Sequence, residues 1–204
     1  MTDAVIHLLV GPNGAGKTTL YDKVLGPATQ LPFVNANLIA EDRWPGDEER
    51  HGRDASVAAA EVRKTLIADR QSFITETVSS HPSKVELVTR LISSGYRVHL
   101  HVIIVPVNLT VARVTNQVDN GGHSVPENKI RERYARLWPL VADAIRLAHE
   151  ATVYDNSNAT RSHRVVTQFI SGRPFGNIDW PRWAPPELVA LATWSQATTR
   201  SVSS

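Results

Sequence analysis

The chain has 204 residues, of which 42% are hydrophobic, and this is enough to build one compact domain with a sizeable core. Twenty-two Lys and Arg residues against twenty Asp and Glu residues give a formal charge of +2, so the charge balance alone does not indicate a nucleic-acid or membrane partner. The absence of cysteine excludes disulfides and thiolate metal sites. Because the longest apolar stretch, residues 102–107, is too short to span a membrane and no signal segment is evident, we expect a cytoplasmic protein.

Short apolar runs alternate with amphipathic segments along the chain. In chain order the patterns predict a strand at 4–10, a helix at 17–25, a strand at 33–36, a helix at 56–70 capped by Ser56, a strand at 72–77, a helix at 84–93, a strand at 96–105, helices at 109–118 and from about 126 to 150, and a strand at 152–154. The tail from Arg173 predicts a packed extension with a short helix at 187–193. The alternation indicates an α/β domain with a mainly parallel sheet.

A glycine-rich loop follows the first predicted strand and precedes the first predicted helix. It matches the pattern G-x-x-x-x-G-K-[ST] through Gly11, Pro12, Asn13, Gly14, Ala15, Gly16, Lys17 and Thr18. Backbone N–H groups of such a loop point at phosphate oxygens, and the helix N-terminus favours negative charge. We therefore predict binding of a nucleoside triphosphate with Mg²⁺, with Lys17 on the β and γ phosphates, Thr18 on Mg²⁺ and Thr19 near the α phosphate. The motif alone leaves ATPase, kinase and switch functions open.

Polar residues at the carboxyl ends of other strands are expected beside this loop, because ligands of open α/β sheets bind there. They are Asn35, Asn37, Thr75, Glu76 and Thr77. Glu76 is the best-placed carboxylate and is expected to hold a magnesium-bound water or a substrate hydroxyl, the alternative being a solvated carboxylate at a strand end. His81, a few residues later, is a candidate contact to the acceptor. Asp155 and Asn156 follow the last predicted strand and either approach the adenine or the phosphate loop or, equally, cap the end of the strand.

The helix after residue 126 carries apolar side chains at helical spacing and a basic stripe beside them. The stripe consists of Lys129, Arg133 and Arg136. Arginines on a helical lid can bind phosphoryl oxygens in a transition state, whereas the alternative is a merely solvated helix face.

His99 and His101 lie on one face of the predicted strand 96–105. Because no carboxylate or histidine cluster accompanies them at ligand spacing, metal binding is not expected, and we predict that they pack or form hydrogen bonds beneath a helix.

Several motifs together resemble the zeta-toxin family of P-loop kinases. They are GPNGAGKTTLY at 11–21, FVNANLIA at 33–40, SFITETVSSHPSK at 72–84, GGHSVPENKIRERYARLWPL at 121–140 and YDNS at 154–157. The best-known members phosphorylate UDP-N-acetylglucosamine on its sugar and are held in check by a small antitoxin. The resemblance implies a three-layer P-loop kinase fold with helices on both sheet faces and a helical lid. It also implies that ATP and Mg²⁺ bind at Lys17 and Thr18, that Glu76 belongs to the acceptor site, and that Arg133 and Arg136 belong to the lid, with His123 at its entrance.

One position departs from the family pattern. The family motif reads like V-N-A-D, with the aspartate as general base, whereas this chain has Asn37 at the last position. Loss of a general base lowers a rate by roughly 10² to 10⁴-fold. We therefore expect substrate binding with impaired turnover. Three explanations of Asn37 compete: an engineered change, a natural residue with Glu41 or Asp42 as substitute base, and a pseudokinase. Because the rest of the motif set is intact, the first two are favoured.

From these patterns we predict a P-loop kinase domain at 1–172, including a lid at about 121–150, and a C-terminal extension at 173–204. The predicted function is ATP-dependent phosphorylation of UDP-N-acetylglucosamine or a related nucleotide sugar, with a small antitoxin as a possible partner and no nucleic-acid or membrane partner. The alternatives are a P-loop kinase for another small molecule or a polynucleotide end, and a catalytically weak ATP-binding module that acts through a partner.

Overall fold

The structure, a computed structural model, describes residues 3–77, 83–119 and 126–200. The strands are β1 (Val5–Val10), β2 (Phe33–Val34), β3 (Phe73–Thr77), β4 (Arg97–Ile104), β5 (Glu150–Asp155), β6 (Arg164–Ile170) and β7 (Arg173–Phe175). The helices are α1 (Lys17–Leu20), which continues through a π-helical turn (Tyr21–Leu25) into α2 (Gly26–Thr29), and α3 (Ala36–Arg43), α4 (Gly52–Ala68), α5 (Ser83–Ser93), α6 (Val107–Asp119), α7 (Glu127–Leu147) and α8 (Pro186–Arg200).

All seven strands form one sheet in the order β2-β3-β1-β4-β5-β6-β7. The first five are parallel, and β6 and β7 are antiparallel additions at one edge. The apolar runs of β1 and β4 occupy central positions, as expected for strands covered on both faces. The predicted α/β fold with a mainly parallel sheet and helices on both faces is confirmed.

The two faces of the sheet are covered unequally. One face carries the larger core, in which Leu8, Leu100 and Val153 are buried beneath α4, α5, α7 and α8. The opposite face carries a smaller core around Leu9 and Ile103, covered by the helical segments that follow β1. Because alternate residues of a strand point to opposite faces, β1 and β4 contribute to both cores.

Three local predictions differ from the structure. Helix α4 begins at Gly52, so Ser56 is no cap, and its hydroxyl donates to the carbonyl of Gly52 one turn earlier. The strand predicted at 33–36 ends at Val34, because the Asn35 side chain caps α3. Helix α8 extends well past the predicted 187–193.

The antiparallel hairpin of β6 and β7 was not predicted. Ser171 and Gly172 connect its strands, both with positive φ, at 48° and 73°. Two successive residues with positive φ form the kind of tight turn that suits a hairpin, but the usual Asn-Gly signal is replaced here by Ser-Gly. No helix in the described part of the chain is both long and apolar enough to cross a membrane.

The side chain of Tyr96, which directly precedes β4, contacts the segment between α4 and β3. Its ring is 2% exposed, and its hydroxyl is 3.1 Å from the carbonyl oxygens of both Leu66 and Gln71. The hydroxyl therefore stabilises the end of α4 and the segment just before β3.

We predict that Tyr96→Phe lowers the free energy of unfolding by about 1 kcal/mol, because the partly buried hydrogen bonds of its hydroxyl to Leu66 and Gln71 are lost. Urea denaturation followed by circular dichroism measures this change. Tyr21→Phe is the matched control, since the Tyr21 hydroxyl has no hydrogen-bond partner among the described residues, and it should leave the midpoint unchanged. Equal stability of the two variants would contradict the assigned role of the Tyr96 hydroxyl.

Candidate functional site

The glycine-rich loop joins the carboxyl end of β1 to α1, in the context that the sequence predicts. Gly16 is the N-cap of α1 and has a φ of 92°, a conformation that L side chains rarely adopt. A Cβ atom at Gly16 would lie 2.4 Å from the side-chain nitrogen of Asn156. The loop therefore requires glycine at this position for both conformation and space.

Lys17 is the most buried charged group of the site, with 5% of the residue exposed. Its Nζ donates to the carbonyls of Gly11 and Pro12 at 3.1 and 3.0 Å and lies 3.3 Å from Oε1 of Glu76. Burial lowers the pKa of the Lys17 ammonium, and the Glu76 carboxylate acts in the opposite direction. A buried cation of this kind favours an anionic ligand beside it.

Three side chains from outside the loop bind consecutive carbonyls of the loop. Arg113 donates to the carbonyl of Gly14 at 3.0 Å, Asn156 to Ala15 at 2.8 Å and His163 to Gly16 at 3.0 Å. A second nitrogen of Arg113 donates to the backbone carbonyl of Asn156, which ties α6 to the end of β5. Because these carbonyls are satisfied by neighbouring elements, the loop is held in one conformation, and within it the N–H of Ala15 donates to the carbonyl of Pro12.

Glu76 is connected to the start of α3 as well as to Lys17. The Asn35 side chain donates to Oε2 of Glu76 at 2.9 Å, and its oxygen accepts from the backbone N–H of Asn37 at 2.7 Å. Asn35 is buried, so this bond to a charged partner is formed away from bulk water. Asn37 therefore lies in the first turn of α3, not at the end of a strand.

A cavity of about 1040 Å³ extends from the glycine-rich loop across the edge of the sheet. A cavity of this size is at the upper end of the range for small-molecule sites. Its lining residues come from the loop and α1, from β2 and α3, from α4, and from single positions on β3, α6 and the end of β5. They are Asn13, Gly14, Gly16, Lys17, Thr18, Thr19, Asn35, Ala36, Asn37, Ser56, Ala59, Ala60, Arg63, Glu76, Arg113 and Asn156.

Most of the predicted site residues line this cavity. Gly11, Pro12 and Ala15 do not line it, because they are buried within the loop. Thr77, which also lies outside the lining, ends β3 in register with Val10. His81 and His123 lie outside the described residues. Arg133 and Arg136 are exposed on α7 and do not line the cavity, so their lid role stays a prediction. Glu41 and Asp42 are exposed on α3 and also lie outside the cavity lining.

Arg63, Arg113 and His163 were missed by the sequence analysis. Arg63 lies on the cavity side of α4, half-buried, and its guanidinium has no carboxylate partner among the described residues. Burial lowers the pKa of Arg63 and of His163. The sequence around Arg63 and Arg113 does not distinguish these arginines from solvated ones. Of the two alternatives for the end of β5, Asn156 approaches the loop, whereas Asp155 accepts from the N–H of Ser157 and caps the strand end.

Residues 6–140 match the protein family described as AAA domain. The chain belongs to this family. The match includes the glycine-rich loop, Glu76 and the first part of α7, so this AAA domain contains nearly all of the cavity.

Similar proteins support the same fold for this AAA domain. An uncharacterized protein from Haemophilus influenzae is 29% identical over 125 residues, which cover 61% of this chain and 88% of that protein. A candidate kinase from Chloroflexus aurantiacus is 18% identical with a TM-score of 0.61, and the match covers 78% of this chain and 92% of that one. A chain of the PezAT toxin-antitoxin system from Streptococcus pneumoniae is 15% identical with a TM-score of 0.61, covering 100% and 84%. The chain thus has a P-loop kinase fold.

We predict that Gly16→Ala weakens binding of a nucleoside triphosphate by roughly tenfold or more, equivalent to about 1.4 kcal/mol, because the added Cβ displaces Asn156 and strains the loop. Isothermal titration calorimetry with Mg-ATP measures the loss. Gly46→Ala is the matched control, since Gly46 has a φ of 85° but has no atom within 4 Å of an added Cβ. Gly46→Ala introduces backbone strain but no steric clash, so it should bind Mg-ATP as tightly as the unsubstituted chain. Weaker binding by Gly46→Ala would contradict the assigned role of the clash with Asn156.

Proposed function

We propose that the chain is an ATP-dependent kinase that transfers the γ-phosphoryl group to a hydroxyl of a nucleotide sugar, UDP-N-acetylglucosamine or a close relative. The observation that supports this most strongly is the extension of the cavity beyond the phosphate loop. Hydrolysis of a triphosphate needs room for a water molecule only, whereas this cavity continues past the loop to the start of α3 and along α4, where Asn37, Ser56 and Arg63 line it. The additional space suits a second substrate.

The nucleotide half of the proposed site fits Mg-ATP. The N–H groups of the loop and the Lys17 ammonium would hold the β and γ phosphates, and the Thr18 hydroxyl, which lines the cavity, would hold Mg²⁺. Mg²⁺ would supply neutralisation of the negative charge that develops during transfer. Arg113 and Asn156 keep the loop in the conformation that this binding needs.

The acceptor half contains one cation that suits an anionic substrate. Arg63 is half-buried and faces the cavity without a carboxylate partner in the described part of the chain. A guanidinium binds phosphate oxygens through two parallel hydrogen bonds, and a partly desolvated one binds them more strongly than a solvated one. Arg63 therefore favours an acceptor that carries a phosphate or diphosphate, as a nucleotide sugar does.

Glu76 is our proposed general base. Among the described residues, it contributes the one carboxylate that lines the cavity, and the amide of Asn37 cannot accept a proton. In the proposed reaction, the bond between the γ phosphorus and its bridging oxygen breaks while a bond to the acceptor oxygen forms. The acceptor proton passes to Glu76, and ADP leaves. Asn35, which donates to Glu76, would keep the carboxylate aimed at the cavity.

Our second proposal is that the chain is a catalytically weak ATP-binding module that acts through a partner. Asn37 favours this proposal, because it stands where the family pattern has the general base. An antitoxin partner is proposed on the resemblance to the zeta-toxin family, and the similarity in fold to a PezAT chain agrees with that proposal. This module would bind Mg-ATP and form no product with any acceptor.

We predict that Glu76→Gln lowers kcat by roughly 10²-fold or more, because the amide cannot take the acceptor proton. Asn37→Asp should change kcat by less than about tenfold, since the base function is already present. Acceptor-dependent ADP release measures both effects, and circular dichroism confirms folding. If Asn37→Asp raises kcat 10²-fold and Glu76→Gln does not lower it, position 37 is the base site and the proposed role of Glu76 is wrong.

We also predict that Arg63→Met raises KM for the nucleotide sugar by roughly tenfold or more and leaves KM for ATP within about twofold, because it removes a cation from the acceptor half alone. Lys64→Met, at the next and exposed position, is the control and should change neither constant. Arg63→Lys retains the positive charge but lacks the paired N–H donors of the guanidinium, so it should give an intermediate KM for the nucleotide sugar. An unchanged KM for the sugar in Arg63→Met would exclude Arg63 from the acceptor site.

A further inference from the structure

A cluster of three histidines lies on the sheet face that carries the smaller core. The pairing of β1 with β4 places His7 beside His99 in register, and His101 follows on the same face two residues later. Metal binding was not expected for His99 and His101, because no further ligand lies near them at ligand spacing in the sequence. Because His7 precedes them by more than ninety residues, no local spacing indicated that it would join them.

Nitrogen atoms of the three rings lie close enough to share one ion. One nitrogen from each histidine lies within 4.8 Å of the other two, and Nδ1 of His7 is 2.9 Å from Nε2 of His101. Two imidazole nitrogens on a tetrahedral ion, each about 2.0–2.1 Å from it, are about 3.3 Å apart. The His99 ring is stacked on the His101 ring, with centroids 4.2 Å apart, so it must rotate out of the stack to direct a nitrogen at the same ion. This rotation and a small opening of the His7 and His101 pair would complete a three-nitrogen site.

The second nitrogen of two rings is already engaged. Nδ1 of His101 is 3.1 Å from the Tyr154 hydroxyl, and Nε2 of His99 is 3.1 Å from the Thr152 hydroxyl. Such bonds orient the rings of histidine ligands and determine which nitrogen faces the ion. Glu150, with an oxygen 3.7 Å from Nδ1 of His99, adds negative charge beside the cluster.

Burial lowers the pKa of each histidine in the cluster. For His7, burial and then the neighbouring His99 lower the pKa to about 4. Burial also lowers the pKa of His99, and it lowers the pKa of His101 well below its ordinary value. The hydrogen bond between Nδ1 of His7 and Nε2 of His101 places the proton of one ring between these nitrogens, so binding of an ion requires that proton to move to the other nitrogen of its ring.

The surroundings allow an ion to reach the cluster. Leu9 and Ile103, the next residues along the same face, are buried beneath the helical segments that follow β1. That cover does not fully bury the histidines, since His7 and His99 are only half-buried. Imidazole ligands without a thiolate favour ions such as Zn²⁺, Ni²⁺ or Cu²⁺ over Mg²⁺ or Ca²⁺, which prefer oxygen.

We propose that His7, His99 and His101 form a binding site for one transition-metal ion of the Zn²⁺ class, with Tyr154 orienting His101. The site bridges the two central strands and is separate from the phosphate loop. It needs neither ATP nor an acceptor, so the outcome does not depend on the proposed kinase activity.

The test is calorimetric titration of the full chain, freed of any affinity tag and of metal, with Zn²⁺ in the presence of excess Mg²⁺. We expect one Zn²⁺ per chain, a binding constant that His99→Gln weakens on the order of tenfold or more, and a smaller loss for Tyr154→Phe. His51→Gln is the matched control because His51 lies beside Asp47 and Asp54, where adventitious zinc would bind, and it should leave the constant unchanged.

Co²⁺ provides a second readout, because a four-coordinate site with imidazole ligands gives visible absorption bands that an exposed, hydrated ion lacks. These bands should appear in the natural chain and in His51→Gln and disappear in His99→Gln. His101 is 2% exposed, and its replacement risks misfolding. The substitutions are therefore made at the half-buried His99 and at the Tyr154 hydroxyl. Failure of the natural chain to bind one Zn²⁺, or equal binding by His99→Gln, would overturn the proposal.

Discussion

The buried ammonium of Lys17 is the group on which the organisation of this site depends. A cation with 5% exposure is stable in the fold only with compensating partners, and here these are two loop carbonyls and the Glu76 carboxylate. Because Glu76 belongs to β3 and Lys17 to α1, this one ion pair connects two elements that are far apart in sequence. It also places the carboxylate beside the position that phosphates would occupy.

The sheet topology makes that ion pair available. β1 lies between β3 and β4, and all three run parallel, so the phosphate loop and Glu76 emerge at the same edge. β5 adds Asn156 at this edge, and α6, which follows β4, adds Arg113. The loop conformation is consequently held by contacts from several elements and does not depend on its glycines alone.

Much of this arrangement could be predicted from the sequence, where local patterns carry the information. The phosphate loop is a contiguous motif, and Glu76 and Asn156 follow apolar runs that mark the ends of strands. Other residues depend on long-range pairing that no local pattern reports. Arg63 looks like any solvated helix residue until α4 is placed beside α3, and His7 joins His99 and His101 only through the pairing of β1 with β4. The hairpin of β6 and β7 was missed because its turn uses Ser171 in place of the usual asparagine.

We propose that one cavity binds a triphosphate and an anionic hydroxyl acceptor side by side. Mass spectrometry tests this proposal after incubation of the chain with Mg²⁺ and ATP whose γ-phosphoryl oxygens are ¹⁸O, together with a mixture of nucleotide sugars, free sugars and nucleosides. We expect the heavy phosphoryl group to appear intact on a nucleotide sugar. Heavy label found only in inorganic phosphate would exclude transfer to an acceptor and indicate hydrolysis. Label that remains entirely in ATP would exclude both reactions and favour a binding role.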